Sequence, residues 1–181
     1  MAEKPIPESA AASPGEPMHR LILLRHGKAE SVSATGGDFD RGLTDRGRRD
    51  CALIGRVLAE AGSIPDVALV SAARRAQETW EEVSRAFPAA RRETLRALYL
   101  AAPEQIAEAV SAVDQGLNVI VVGHNPGLHE FAIALAETMG ASITGLGAFP
   151  TAAAAVFRLG GSDPAEPVQV FLPRDHGGGP T

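Results

Sequence analysis

Two imidazoles and several guanidinium groups stand where apolar runs of this chain stop, and the chemistry of the sequence starts there. Leu21-Ile22-Leu23-Leu24 runs into Arg25-His26-Gly27, Val67-Ala68-Leu69-Val70 into Ser71 to Arg75, and Val119-Ile120-Val121-Val122 into Gly123-His124-Asn125-Pro126. Brought together, Arg25, one of Arg74 and Arg75, His26 and His124 make a cationic pocket for a phosphate. Arginine suits this because its planar fork donates two parallel hydrogen bonds to phosphate oxygens and keeps its charge at working pH. Phosphoryl transfer spreads negative charge over three equatorial oxygens, so fixed positive donors supply most of the catalysis and a metal ion is not needed. A neutral imidazole becomes a nucleophile when one ring nitrogen donates to a backbone carbonyl and the other aims its lone pair at phosphorus. His26, at a strand end and followed by the permissive Gly27, fits that role. His124, flanked by Gly123 and Asn125, fits a phosphate ligand.

Certain elements must hold these groups in place. Short, continuous apolar runs suit strands buried on both faces. Between them, Leu53, Ile54, Val57, Leu58 and Ala61 form one helical stripe over 45–61, which Thr44 caps and Gly62 ends. A second helix is expected over 74–87, stopped at Pro88. A third begins at Pro103 and carries Ile106, Ala109, Val110 and Val113 on one side. A fourth follows Pro126, with Leu128, Phe131, Leu135 and Met139 spaced by three and four. Strand alternating with helix predicts an α/β fold, a three-layer sandwich with a mostly parallel central sheet flanked by helices. Two further strands, near 154–159 and 168–172, have no helix between them and are expected to pair antiparallel at an edge. The carboxyl ends of parallel strands share one edge, where ligands bind, so the three polar clusters converge.

With 181 residues the chain fits one domain. A disordered tail is expected over 1–17, the working domain over 18–173 and a flexible tail over 174–181. A net charge of −5 gives no general basic field for nucleic acid or an anionic membrane. Cys51 is the only cysteine, which excludes an internal disulfide and a paired zinc spacing. No run approaches the roughly 18 apolar residues that span a bilayer, and a soluble, cytoplasmic protein is expected. Oligomeric state is not legible.

Leu24-Arg25-His26-Gly27-Lys28-Ala29, the stretch from Ser71 to Thr79, and Gly123-His124-Asn125-Pro126 together resemble the histidine phosphatase superfamily, in its short phosphohistidine-phosphatase (SixA-like) branch. The likeness covers nearly the whole body of the chain, including the segment from Asp38 to Gly47. It implies a phosphoglycerate-mutase-like fold, a phosphohistidine intermediate on His26, and a phosphate held by Arg25, Arg75 and His124, with Asn125 beside it. Arg75 rather than Arg74 matches, because Ser71 stands four residues before it, Ala76 after it and Thr79 four beyond. Arg74 is then a solvent-facing helix residue. No cofactor and no metal are implied, and the expected partner is a phosphorylated small molecule or a phosphohistidine protein.

One departure from the family pattern concerns the proton donor. Many members carry a glutamate after the segment corresponding to Arg96-Ala97-Leu98, where this chain reads Tyr99-Leu100-Ala101-Ala102-Pro103. Glu104, Asp38 and Asp40 remain as candidates, each more simply read as an exposed carboxylate. A missing acid matters least when the leaving group departs easily, which favours the phosphorus–nitrogen bond of phosphohistidine over sugar phosphates. His129, five residues after His124, does not share a helical face with it, and His19 and His176 border the tails. Gly27-Lys28 lacks the remainder of a P-loop, Trp80 and Phe87 read as core, and Arg20, Arg46, Arg48 and Arg49 as a hydrated basic face. The competing functions are a cofactor-independent phosphomonoesterase or a mutase of the same superfamily, and a phosphate-binding module without turnover. A metal-dependent hydrolase fails on ligand count.

Overall fold

The computed structural model describes residues 20–114, 116–142, 146–159 and 168–179. The expected tail over 1–17, His19 and loop residues 143–145 lie outside the described residues. In chain order the elements are β1 (Arg20–Arg25), α1 (Asp45–Glu60), β2 (Val67–Ser71), α2 (Arg74–Val83), β3 (Arg91–Leu95), α3 (Pro103–Ser111), β4 (Val119–Gly123), α4 (Gly127–Thr138), β5 (Ala154–Arg158) and β6 (Gln169–Phe171). They form one sheet of order β3-β2-β4-β1-β5-β6. β1, β2, β3 and β4 pair in parallel, β5 runs antiparallel to β1, and β6 antiparallel to β5.

Both faces of the central strands are covered, which is why they read as unbroken apolar runs rather than alternating ones. Leu21 and Leu23 pack with Leu69, Val121, Ile106 and Leu128 on the α3/α4 side. Ile22 and Leu24 pack with Val70, Val122, Ile54, Leu58 and Trp80 on the α1/α2 side. The side-chain period of two thus splits each strand between two cores. Thr44 caps α1 by accepting from the Gly47 N–H (3.0 Å), and Gly62, at φ +68°, follows its end.

Two sequence expectations need correction. The helix expected over 74–87 ends at Val83, and Ser84–Ala86 continues as a 3-10 turn before Pro88. β3 was not foreseen at all: Arg91-Arg92-Glu93-Thr94-Leu95 is a largely exposed edge strand, with charged residues where a buried strand carries apolar ones. The stretch read as a C-terminal tail forms a 3-10 turn at Pro173–His176, and the Gly179 N–H donates to Asp50 Oδ1 (3.3 Å).

The turn after β1 is where packing meets the polar cluster. α1 lies directly against the Gly27–Lys28 backbone: a Cβ on Gly27 would press on Cys51 Sγ and on the Gly47 carbonyl, and a Cβ on Gly47 would collide with the Lys28 carbonyl. An alanine inside a helix ordinarily gains up to about 1 kcal/mol over glycine. Here the backbone contact reverses the sign, and Gly47→Ala is expected to lose about 1–3 kcal/mol by overpacking. A urea denaturation curve checks this, and a raised midpoint would contradict the close approach.

Candidate active site

Register brings the three clusters together. Arg25 pairs with Gly123 across β1 and β4, so His26 and His124 follow side by side, their ring centroids 5.1 Å apart. Val70 pairs with Val122 across β2 and β4, which sets Ser71 next to His124: Ser71 Oγ lies 2.8 Å from His124 Nε2. His26 is fixed from both sides, its N–H donating to the Gly123 carbonyl (3.1 Å) and its carbonyl accepting from the Ala152 N–H (3.1 Å). The resulting cleft, of about 390 Å³, is lined by Arg25, His26, Lys28, Asp38, Arg75, His124 and Asn125, among others.

The hydrogen bonds of His26 fix its tautomer. Nδ1 is 2.8 Å from the Gly27 carbonyl, which can only accept, so Nδ1 carries the hydrogen and Nε2 keeps its lone pair. Burial lowers the pKa of His26 to about 4; the Gly27 bond opposes this, and the charges of Arg75, Arg25 and Arg41 reinforce it. Burial likewise takes His124 to about 3, with His26 and Arg75 adding to the effect. Both rings are therefore neutral at physiological pH. Ser71 Oγ, which accepts from the Ala73 N–H (3.4 Å), shares one hydrogen with His124 Nε2; when the hydroxyl donates it, the ring hydrogen of His124 lies on Nδ1, which has no partner.

Each cleft arginine is anchored by a main-chain carbonyl. Arg25 Nη1 donates to the Phe149 carbonyl (3.0 Å), which also accepts from Asn125 Nδ2 (3.0 Å). Arg75 Nη1 donates to the Asp38 carbonyl (2.7 Å) and Nη2 to Asp38 Oδ2 (3.1 Å). The Nε of each has no partner. Of the six buried side-chain polar atoms without a partner among the described residues, four belong here: Arg25 Nε, Arg75 Nε, His124 Nδ1 and Asn125 Oδ1. An unpaired buried donor costs roughly 1–3 kcal/mol, and the two arginine Nε–H groups, joined by His124 Nδ1 when it carries the ring hydrogen, suit an oxyanion.

Thr79 joins two parts of the site, its hydroxyl accepting from the Gly27 N–H (3.0 Å) and donating to the Arg75 carbonyl (2.7 Å). Cys51, beneath it, is fully buried, and burial pushes its thiol up to about 12. Arg74 lies outside the cleft, more than half exposed and paired with Glu78 at 2.8 Å, while Arg75 is 2% exposed. Arg46 and Arg48, read as a hydrated face, form ion pairs with Asp50 and with Glu78 and Glu82. His129 stacks on Phe149. Lys28 lines the cleft, and Trp80 and Phe87 are core.

The three candidate acids separate. Glu104 is exposed in the first turn of α3 and does not line the cleft; Asp40 accepts from the Thr35 hydroxyl. Asp38 does line the cleft. Its Oδ2 accepts from Tyr99 Oη (2.8 Å) and Arg75 Nη2, and its Oδ1 from Arg41 Nε (2.9 Å) and Nη2 (2.7 Å). The Tyr99 bond, with Arg41 and Arg75, outweighs desolvation and holds this carboxyl well below the usual range. The sequence reading assigned no function to Tyr99, Arg41 or the Phe149 carbonyl. Only the spacing of Asp38 and Arg41, three residues apart, offered a signal.

Known proteins share the family and the fold of this chain. A family model, the histidine phosphatase superfamily (branch 1), matches residues 21–116, more than half of the 181-residue chain. A 2,3-bisphosphoglycerate-dependent phosphoglycerate mutase of Nocardioides is 43% identical over 63 residues, 34% of this chain and 26% of that protein, so the match spans about a quarter of that relative. Among solved structures, a candidate phosphohistidine phosphatase SixA of Agrobacterium tumefaciens aligns with a TM-score of 0.66 at 28% identity, over 78% of this chain and 92% of that one. A protein histidine phosphatase SixA complexed with tungstate shares the fold, with a TM-score of 0.68 at 23% identity over 86% and 98% of the two chains. The sandwich is that of phosphoglycerate-mutase-like structures. With its strand-end histidines and arginines in one cleft, a matching family model and a SixA-like structure, the chain belongs to the histidine phosphatase superfamily (branch 1).

Proposed function

We propose that the chain is a metal-independent phosphatase that passes a phosphoryl group through His26 to water. The observation that carries this is the Nδ1–H bond from His26 to the Gly27 carbonyl, which keeps Nε2 unprotonated inside a ring of positive donors. Nε2 attacks phosphorus, the bond to the leaving group breaks with its electron pair going to that group, and a covalent phosphohistidine remains. Arg25 Nε, Arg75 Nε and His124 Nδ1, the donors without partners, bind the phosphoryl oxygens and tighten as charge moves onto them. Water then attacks phosphorus, and His26 leaves as neutral imidazole. The exposed Lys28, Asp38 and Leu100 around the cleft leave it open to water, which favours hydrolysis over return of the phosphoryl group to a second substrate hydroxyl.

The ionised Asp38 bears on substrate choice. It is the one candidate acid in the cleft and holds no proton to give. A leaving group that needs little protonation, such as the imidazole of phosphohistidine in a protein, suits this cleft better than a sugar alkoxide.

Brief exposure to radiolabelled substrate is expected to leave acid-labile, alkali-stable label on the wild-type chain and none on His26→Ala, whose turnover falls by more than about 1,000-fold. Turnover retained in His26→Ala would sink the reading. Arg75→Ala is expected to lower kcat/KM about 100- to 1,000-fold. Arg74→Ala, at an exposed pair of small energetic weight, changes it by less than about threefold.

The neutral nucleophile has a signature in pH. An NMR titration of the His26 ring should give a midpoint near 4 rather than the ordinary 6.5. Because the folded value lies below the unfolded one, the unfolded chain binds the proton first as pH falls, and stability drains away from about 6.5 down to about 4. A midpoint at or above 6.5 would mean that the imidazole is charged in the resting cleft.

A further inference from the structure

Asp38 is bound in a way that suggests more than holding Arg75. Its four hydrogen bonds all come from donors: Tyr99 Oη and Arg75 Nη2 on Oδ2, Arg41 Nε and Nη2 on Oδ1. A carboxyl group accepting on every side is ionised, and this one is nearly half exposed in the cleft that also contains His26 and His124. Tyr99, raised above the ordinary phenol range chiefly by its bond to Asp38, stays a proton donor. It packs edge-on to His124 at 5.7 Å, which ties the Asp38 carboxylate to the histidine side of the cleft. The longest of the four bonds, 3.1 Å, is the one to Arg75 Nη2. That guanidinium keeps a separate anchor, Nη1 on the Asp38 carbonyl at 2.7 Å, so it can give up Oδ2 without losing its place.

We infer that Asp38 is a specificity-determining residue that selects leaving groups attached to phosphorus through nitrogen and carrying a positive N–H. The inference rests on the phosphatase reading above and names the substrate chemistry of that same cleft. On binding, a phosphoryl oxygen takes over Arg75 Nη2, and the N–H of the leaving group takes the vacated position on Asp38 Oδ2. For a phosphorylated imidazole, phosphorus is on one ring nitrogen and the hydrogen on the other, so the ring is cationic. His26 Nε2 forms the new phosphorus–nitrogen bond as the old one breaks; the bonding pair returns to the departing nitrogen, and the ring leaves neutral with its N–H still on Asp38. The carboxylate keeps the group in the protonated form from which phosphorus is readily lost. Against an ester it works in the opposite direction, because an oxygen leaving group accumulates negative charge in front of a fixed anion.

The arrangement is matched on the nucleophile. The Gly27 carbonyl holds Nδ1–H of His26 while Nε2 gains or loses phosphorus. Asp38 does the same for the departing ring. One acceptor thus stands behind each nitrogen base that exchanges the phosphoryl group.

The test compares N-phosphoimidazole or phosphoramidate with 4-nitrophenyl phosphate, in the wild-type chain and in Asp38→Asn. The amide keeps the size and the main-chain carbonyl bond to Arg75 and removes the negative charge, and with its oxygen toward Arg75 and Tyr99 it turns its NH2 toward Arg41 and gives up that pair. A hydrogen bond to a charged group is worth about a 10- to 100-fold change in rate. Asp38→Asn is therefore expected to lower the ratio of kcat/KM for the nitrogen substrates over that for the ester by about 10- to 100-fold, both classes sharing whatever loss comes from the weakened hold on Arg75. Tyr99→Phe, which leaves the carboxylate charge in place, should alter that ratio by less than Asp38→Asn does. An equal fall on both substrate classes would reduce Asp38 to a support for Arg75, and an unchanged ratio would also overturn the inference. Label on His26 in the same samples reports the nucleophile separately. Its absence would remove the phosphatase reading, while the substrate ratio still reads Asp38 on whatever turnover is present.

Discussion

A buried imidazole has to stay uncharged and aimed while guanidinium groups crowd around it, and the rest of the cleft follows from that requirement. Burial and the charges of Arg75, Arg25 and Arg41 all oppose protonation of His26, and only the Gly27 carbonyl favours it. That carbonyl is held in place from behind. The Gly27 N–H goes to Thr79, and the absence of a side chain at Gly27 and at Gly47 lets α1 close onto the turn. Two glycines in the sequence thus lead to a helix contact, the contact to a fixed carbonyl, and the carbonyl to a lone pair with one direction. None of these links would act on phosphorus itself, yet the proposed nucleophile depends on each of them.

The positive side of the cleft is prepared before any anion arrives. Arg25 and Arg75 each spend one nitrogen on a main-chain carbonyl and leave Nε buried and unpaired. Such donors are a standing cost to the fold, met by two apolar cores on either face of the sheet. In return they need no reorganisation when a phosphoryl group enters, which is the condition under which fixed dipoles lower a barrier most. The Phe149 carbonyl is part of the same arrangement. Its residue has φ of +45°, a conformation unfavourable for a bulky side chain, and its ring is fully buried. Packing of that ring holds a carbonyl where it can accept from both Arg25 and Asn125.

Much of this was legible because buried parallel strands write themselves as unbroken apolar runs, and the residues that follow them must meet at one edge. His26, Arg25, His124 and Asn125 were expected at one edge that way, and the structure places them in one cleft on the expected fold. The choice of Arg75 over Arg74 came from the family resemblance, whose pattern Ser71, Ala76 and Thr79 match, and the structure puts only Arg75 in the cleft. β3 escaped because an exposed edge strand carries charged residues where a buried one carries apolar ones. Tyr99 reaches Asp38 across 61 positions, and no local pattern announces such a contact. The Phe149 contribution could not be read from residue type at all, since the chemistry is that of a peptide carbonyl.

The ionised state of Asp38 becomes less puzzling once the second half of the proposed reaction is considered. On the proposed mechanism, every turnover through His26 ends with water displacing an imidazole from phosphorus, so the cleft would have to expel such a ring whatever substrate it started from. That departure would be supported by the Gly27 carbonyl on Nδ1–H and by the unpaired donors facing the phosphoryl oxygens. A substrate whose leaving group is also an imidazole asks for nothing further, because the first step is then the second run in reverse with a different ring. An alkoxide would demand a proton that Asp38, already bonded to Tyr99, Arg41 and Arg75, does not hold.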